Sequence, residues 1–337
     1  MPMWLAFGQA PHPAVSTHIL LTGIQTGPLS LVADAVELIV LALYGVGVRR
    51  LARRGRPWPL WHTAVFVVGM VAMWVAVGSG LAAYDDVNVS MHVIQHVLLM
   101  MVAPPLIALG KPVTLATQAA NRANQVRILK VVHSRVVGVL TFPVVAWFLY
   151  YGTMYVFFMT GVYPYSVAHP LFHDGTHLWF FAVGYLYWHP LVGLDPARWR
   201  WPPLVRAVSL FMGMPFEVFL GIALTQLPTP LAPINTLANT HQAGDTFWIL
   251  AMVTTGGWLA VVLFQWFRQL ERETVREDRR LETANAENRA WAHDLGIDLA
   301  PGLTVPWWRL AELERQQQQH ASHDGGTGTA PEEPGTG

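Results

Sequence analysis

Seven stretches of the chain are apolar for long enough to cross a bilayer: 30–48, 61–83, 92–110, 136–158, 174–193, 204–226 and 243–267. Each is close to the ~20 residues that a helix needs to span the hydrocarbon. Shorter polar links rich in Pro, Gly, Asn and Asp separate them. Inside a bilayer every backbone amide must be satisfied within the protein, so uninterrupted apolar runs of this length predict helices. The pattern predicts an all-α, polytopic bundle of seven transmembrane helices.

Charge adds orientation. When the links are assigned alternately to the two faces, all 21 Lys and Arg fall on one side. Residues 1–29, the link around Asp85, the link 159–173 and the link 227–242 hold none. The opposite side carries five from Arg49 to Arg56, five from Lys111 to Arg135, three from Arg198 to Arg206 and eight from Arg268 onward. Basic residues are retained on the cytoplasmic side of inserted helices. The N-terminus is therefore expected outside and the C-terminus in the cytoplasm, and a wrong helix number would have scattered the basic residues over both faces.

Composition agrees, at 53% hydrophobic and only 12% charged, against roughly 25% charged in soluble domains. The formal charge of zero hides an asymmetry, because 13 of the 21 acids lie beyond residue 270. No nucleic-acid partner is suggested. The first segment has neither a basic n-region nor a small-residue cleavage site, so the first helix is expected to act as the insertion signal. Four regions follow: an outer segment 1–29 containing His12 and His18, a membrane domain 30–267, a charged cytoplasmic helical extension 268–315, and a tail 316–337 too polar to bury a core. Within the inner link, Asn121 to His133 mixes polar and apolar residues as a short surface helix would.

The chain has no cysteine, which excludes disulfides and thiolate metal sites and leaves His, Met, carboxylate or backbone oxygen as metal ligands. Three odd-numbered helices begin at the outer surface with paired donors: His92 and His96, His173 and His177, His241 and Asp245. The i,i+4 spacing puts both members on one helix face, where two side chains can grip one ion. All three helices run inward from the same surface, so the pairs are expected at similar depth. Met100 continues the His92–His96 face one turn deeper, Met91 and His169 lie nearby, and Asp85 and Asp86 stand at the outer mouth. Imidazole suits copper, zinc, iron and nickel, and thioether narrows the choice toward Cu(I), so the donor set leans to copper.

The opposing interpretation is that amphipathic side chains gather at any membrane interface. It applies well to Trp4, Trp58, Trp61, Trp179, Trp199, Trp201 and Trp307. His62, His133, His189, His293, His320 and His323 lie on the inner side or in the tail and receive no role. Asp34 and Glu37 occupy the first outer turns of the first helix. Glu217, near the middle of the sixth, is too costly to face lipid and is expected to point into the bundle, as a packing residue beside Pro215 or as a deep ligand or proton acceptor. Pro104 and Pro105 predict a kink whose freed carbonyls need other donors.

These residues resemble a known family. His92-x2-Gln95-His96, then Ala103-Pro104-Pro105 and Leu109-Gly110-Lys111-Pro112, is similar to the signature of CtaG-type cytochrome c oxidase assembly factors. So are His173-x3-His177 leading to Trp188-x-Pro190-x2-Gly193-x-Asp195-Pro196, and Pro215-x-Glu217-x3-Gly221. The resemblance covers about residues 30–267. It implies a multi-pass plasma-membrane protein needed to mature a copper-containing oxidase, with copper delivered at the outer face. The implied partners are an oxidase subunit in the same membrane and an extracytoplasmic copper donor. It carries over His92, His96, His173, His177 and Glu217 as site residues and implies no enzymatic turnover. One departure is local: where the family's last helix begins with an Asp-Gln pair ahead of Ala-Gly, this chain has Asn239, Thr240, His241 and Gln242. Two other functions fit the same residues, a haem-binding redox enzyme ligated by His96 and His177, or a copper permease. A ladder of donors reaching the inner face, as a permease would use, is missing from the sequence.

Overall fold

The computed structural model describes residues 18, 23–24, 28–85, 88–294, 311–312, 314–316 and 318–319. Trp4, His12, Asp86, Trp307, His320 and His323 lie outside the described residues, as do nearly all of the expected outer segment and tail. Among the described residues the elements are helices, and no strand is present beyond an isolated bridge between Ile24 and Ser79.

In chain order they are α1 (Pro28–Arg53), α2 (Leu60–Val77), α3 (Val89–Val97), a π turn (Leu98–Val102), α4 (Ala103–Leu109) and α5 (Pro112–Ala119). Next come α6 (Arg122–Val132), α7 (Arg135–Leu140), α8 (Pro143–Met159) and α9 (Val162–Ala168). The last are α10 (Pro170–Val192), α11 (Pro203–Thr225) and α12 (Leu237–Asp294). Among the described residues five segments are long and apolar enough to cross a membrane: Ser30–Arg53, Leu60–Val77, Val89–Ala119, Pro203–Thr225 and Leu237–Glu287. A sixth arises if α8 and α9, bent by 70°, count as one. Helix α10 has 23 residues, about 34 Å at 1.5 Å per residue, but His173, Asp174, His177 and His189 dilute its apolar character. The protein is thus all-helical, with several helices fit to cross a membrane.

Proline sets several boundaries. The expected segment 136–158 is divided because Pro143 has no amide to continue a helix: α7 stops at Leu140 and α8 restarts at Pro143. The last helix starts at Leu237, six residues before the apolar run that predicted it, and continues to Asp294. Its residues to Phe264 belong to the compact helical unit, and those from Gln265 onward to a second unit.

The expected kink at Pro104–Pro105 takes the form of the π turn that precedes them. Pro104 cannot donate to Met100, so the Met100 carbonyl is free, and the Trp188 indole Nε1–H donates to it at 3.0 Å. Helix α10 reaches this carbonyl because Gly184 has no side chain. A Cβ there would stand 2.7 Å from the Met100 oxygen and 3.0 Å from its Cα. Trp188, Tyr150, Tyr187, Tyr163 and Phe180 are fully buried and form the aromatic centre of the bundle.

At the end of α4 the chain turns through Lys111, in the left-handed region at φ 51°, and α5 begins at Pro112. The Asp195 carboxylate caps that start, accepting from the Val113 and Thr114 amides at 3.1 and 2.9 Å and from the Thr114 hydroxyl. The Tyr44 hydroxyl donates to the Gly110 carbonyl at 2.8 Å, and His62 Nδ1–H donates to the Leu109 carbonyl at 2.8 Å. Lys111, Pro112 and Asp195 thus form a structural joint between α4, α5 and the end of α10.

Candidate metal centre

Helix α3 is held at its first turn from two directions. The Asn88 side chain caps it, accepting from the Ser90 and Met91 amides at 3.0 and 3.2 Å. Asn239 of α12 reaches the same end: its Oδ1 accepts from the Val89 amide at 2.7 Å and its Nδ2 donates to Asn88 Oδ1 at 3.0 Å. His92 and His96 therefore leave a fixed helix start on one face. Across from them α10 begins at Pro170, and His173 and His177 project from its first two turns.

The two pairs meet. His92 and His96 rings are 4.2 Å apart between centroids, His173 and His177 4.6 Å, and across the helices His92–His173 are 5.1 Å and His96–His177 5.8 Å. One direct bond joins the helices, His173 Nε2 to His92 Nδ1 at 3.4 Å. All four are buried, from 0% exposed at His92 to 9% at His177. The bundle side of the cluster is walled by rings: Phe180 is 3.9 Å and Phe157 4.9 Å from His96, and Tyr163 meets His92 edge-on at 5.1 Å.

Hydrogen bonding within the cluster is incomplete. His96 has no partner at either ring nitrogen, and His92 Nε2 and His177 Nε2 have none. A buried polar group left unpaired costs about 1–3 kcal/mol. On the side away from these rings Asp85 joins the cluster, with Oδ2 3.9 Å from His177 Nε2. One ligand atom from each of Asp85, His173 and His177 lies within 4.8 Å of the others. Gln95 fixes Asp85 by donating from Nε2 to its Oδ2 at 2.8 Å, with a second bond to the Ala76 carbonyl at 2.9 Å. Spacing alone singled out Asp85 only as a charge at the mouth. The signal for more was Gln95, an amide on the same helix as the His pair.

The other candidates are engaged elsewhere. His241 Nε2–H donates to the Leu227 carbonyl at 2.9 Å, and exposed Asp245 accepts from the Trp248 indole at 3.3 Å. Met100 lies in the π turn, whose wider winding interrupts the i,i+4 register from His96; its carbonyl is the one bound by Trp188. Glu217 is 1% exposed, accepts from the Thr255 hydroxyl at 2.8 Å through Oε1, and leaves Oε2 without a partner. The start of α12, where the sequence departs from the family pattern, thus contributes Asn239 as a clamp on α3.

Four buried imidazoles from two helices thus converge beside a carboxylate, and Asp85, His173 and His177 among them could hold a metal ion. Comparison with known proteins supplies the family. Residues 42–269 match the cytochrome c oxidase caa3 assembly factor family, and the chain belongs to it. Uncharacterised proteins of Mycobacterium bovis and Mycobacterium tuberculosis are each 30% identical over 275 residues, covering 76% of this chain and 42% of their own length. A Mycobacterium leprae protein, also uncharacterised, is 31% identical over 271 residues, 74% of this chain and 41% of its own. The chain therefore spans less than half the length of these curated relatives. No solved structure matches it.

Proposed function

We propose that this protein takes up copper at the outer face of the plasma membrane, holds it by His92, His96, His173 and His177, and passes it to an oxidase subunit in the same membrane. In this reading seven helices cross the bilayer, α10 included, with the N-terminus outside. Residues 30–267 are the membrane domain, 268–315 a charged cytoplasmic extension and 316–337 a tail. An extracytoplasmic donor loads the site. Copper is cargo here, bound and released without turnover. Glu217, Met100, His241 and Asp245, also named on spacing, are not ligands in this reading.

The observation that supports the reading most is His96, buried with both ring nitrogens unpaired among three other imidazoles. Imidazole nitrogen is a good donor to copper, and an ion among these rings supplies the missing partners. Two ligands come from each helix, so an acceptor protein can displace them one at a time.

The test is metal content by mass spectrometry of detergent-purified protein, wild type beside His96→Ala/His177→Ala, with an absorption spectrum of each. The expected result is about one copper per chain, lost in the double variant. A Soret band lost in that variant would replace this reading with the haem enzyme. Copper accumulation in vesicles would replace it with the permease.

A further inference from the structure

The four imidazoles do not share one environment. His92 and His96 are 0% and 2% exposed and pack against Phe157, Phe180 and Tyr163. His173 and His177 instead line a cavity of about 400 Å³ at the outer end of the unit, together with Asp85 and Asp174. The cluster thus has an aromatic side without a carboxylate and a cavity side with one. His173 belongs to both: it contributes to the Asp85 group and lies 3.4 Å from His92 Nδ1.

We infer that the centre consists of two overlapping positions for a single ion, a mouth position at Asp85, His173 and His177, and an inner position at His92 and His96 reached through His173. This rests on the proposed copper binding and assigns a ligand role to Asp85 and a positioning role to Gln95. The charge of the ion separates the two positions. Imidazole ligands bring no charge, and the cost of moving an ion into an apolar surround grows steeply with its charge. The inner position therefore favours a monocation, Cu(I). At the mouth the Asp85 carboxylate offsets one positive charge, so dications such as Zn2+ and Cu(II) are held there. Ligands about 2.0–2.1 Å from a metal stand about 3.3 Å apart in a tetrahedral set. The mouth ligands, within 4.8 Å of one another, close on an ion by modest side-chain rotation.

Gln95 makes this arrangement possible. It lies on α3 between His92 and His96, and its bonds to Asp85 Oδ2 and the Ala76 carbonyl hold the carboxylate beside His177. The mouth is permissive, and the aromatic cage behind it selects by charge.

The experiment measures affinities of the full-length protein in detergent for two probes, Zn2+ alone and Cu(I) set against bicinchoninate under reducing conditions. Asp85→Asn is expected to weaken Zn2+ about tenfold or more and to leave Cu(I) within about threefold. His96→Ala is expected to do the reverse. Equal losses of both probes in both variants would overturn the two-position arrangement and leave the copper-binding function standing. Failure of the wild type to bind either probe would remove both. Should a variant fail to fold, Cu(II)-loaded wild type still decides the matter by pulsed electron paramagnetic resonance. Coupling to no more than two imidazoles is expected, and coupling to three or four would contradict the assignment.

Discussion

Histidines occur at both ends of this bundle, and the two groups differ in what their ring nitrogens touch. At the α4–α5 joint His62 gives its Nδ1–H to the Leu109 carbonyl, and Asp195 caps the start of α5 with three hydrogen bonds. His189 Nε2, 4.0 Å from Asp195 Oδ2, is left without a hydrogen bond. At the four-histidine cluster His96 is as deeply buried but has no hydrogen-bond partner at either nitrogen, and His92 and His177 each keep one nitrogen unpaired. Both regions contain family motif residues. The joint leaves one ring nitrogen unpaired, at His189, whereas the cluster leaves four on three adjoining rings. Motif membership does not separate the two regions; the number of unpaired ring nitrogens brought together does.

Substitutions break or sharpen this contrast. The largest stability effect is expected at the joint: Asp195→Ala strips three acceptor contacts from the start of α5 and should cost about 3 kcal/mol. Thermal unfolding in detergent checks it, with copper affinity of the folded fraction unchanged. Gly184→Ala comes next, because its Cβ must enter the space of the Met100 backbone; a loss of about 1–3 kcal/mol is expected from overpacking, read as a lower Tm. Trp188→Phe removes the donor to the Met100 carbonyl and should cost about 1–2 kcal/mol, with His96 displaced and copper binding weakened. His96→Ala lies at the other pole. It removes an unsatisfied buried group but opens a cavity against Phe180 and Phe157. A loss of about 1–3 kcal/mol is therefore expected, absent in His96→Leu, while copper affinity falls at least tenfold in both. Least affected should be His241→Ala, which loses one hydrogen bond, about 1 kcal/mol or less, and no copper.

The sequence made some of this readable. Apolar run length located five helices fit to cross a membrane and a sixth that is a bent pair, while the polar residues of α10 keep it below that measure. The i,i+4 spacing placed His92 with His96 and His173 with His177, because a helix repeats near that period. Contacts between segments far apart in sequence were not legible. Asn239 meets Asn88 across 151 residues, and Trp188 meets the Met100 carbonyl across 88. Pro104 announced a disturbed helix, but whether it would appear as a bend or a π turn depended on which donor came to the freed carbonyl. His241 shared the spacing logic of the other pairs, yet the Leu227 carbonyl lay within its reach, and only packing decides such local competition. Asp85 sat in a link whose path periodicity does not describe, and its place beside His177 follows from Gln95.

The most direct test of the central claim is X-ray absorption of the Cu(I)-loaded wild-type protein. The account predicts copper bound by two or three nitrogens at about 2.0 Å, with the outer-shell scattering of imidazole rings and no sulfur neighbour. A spectrum dominated by sulfur, or one lacking imidazole scattering, would contradict it.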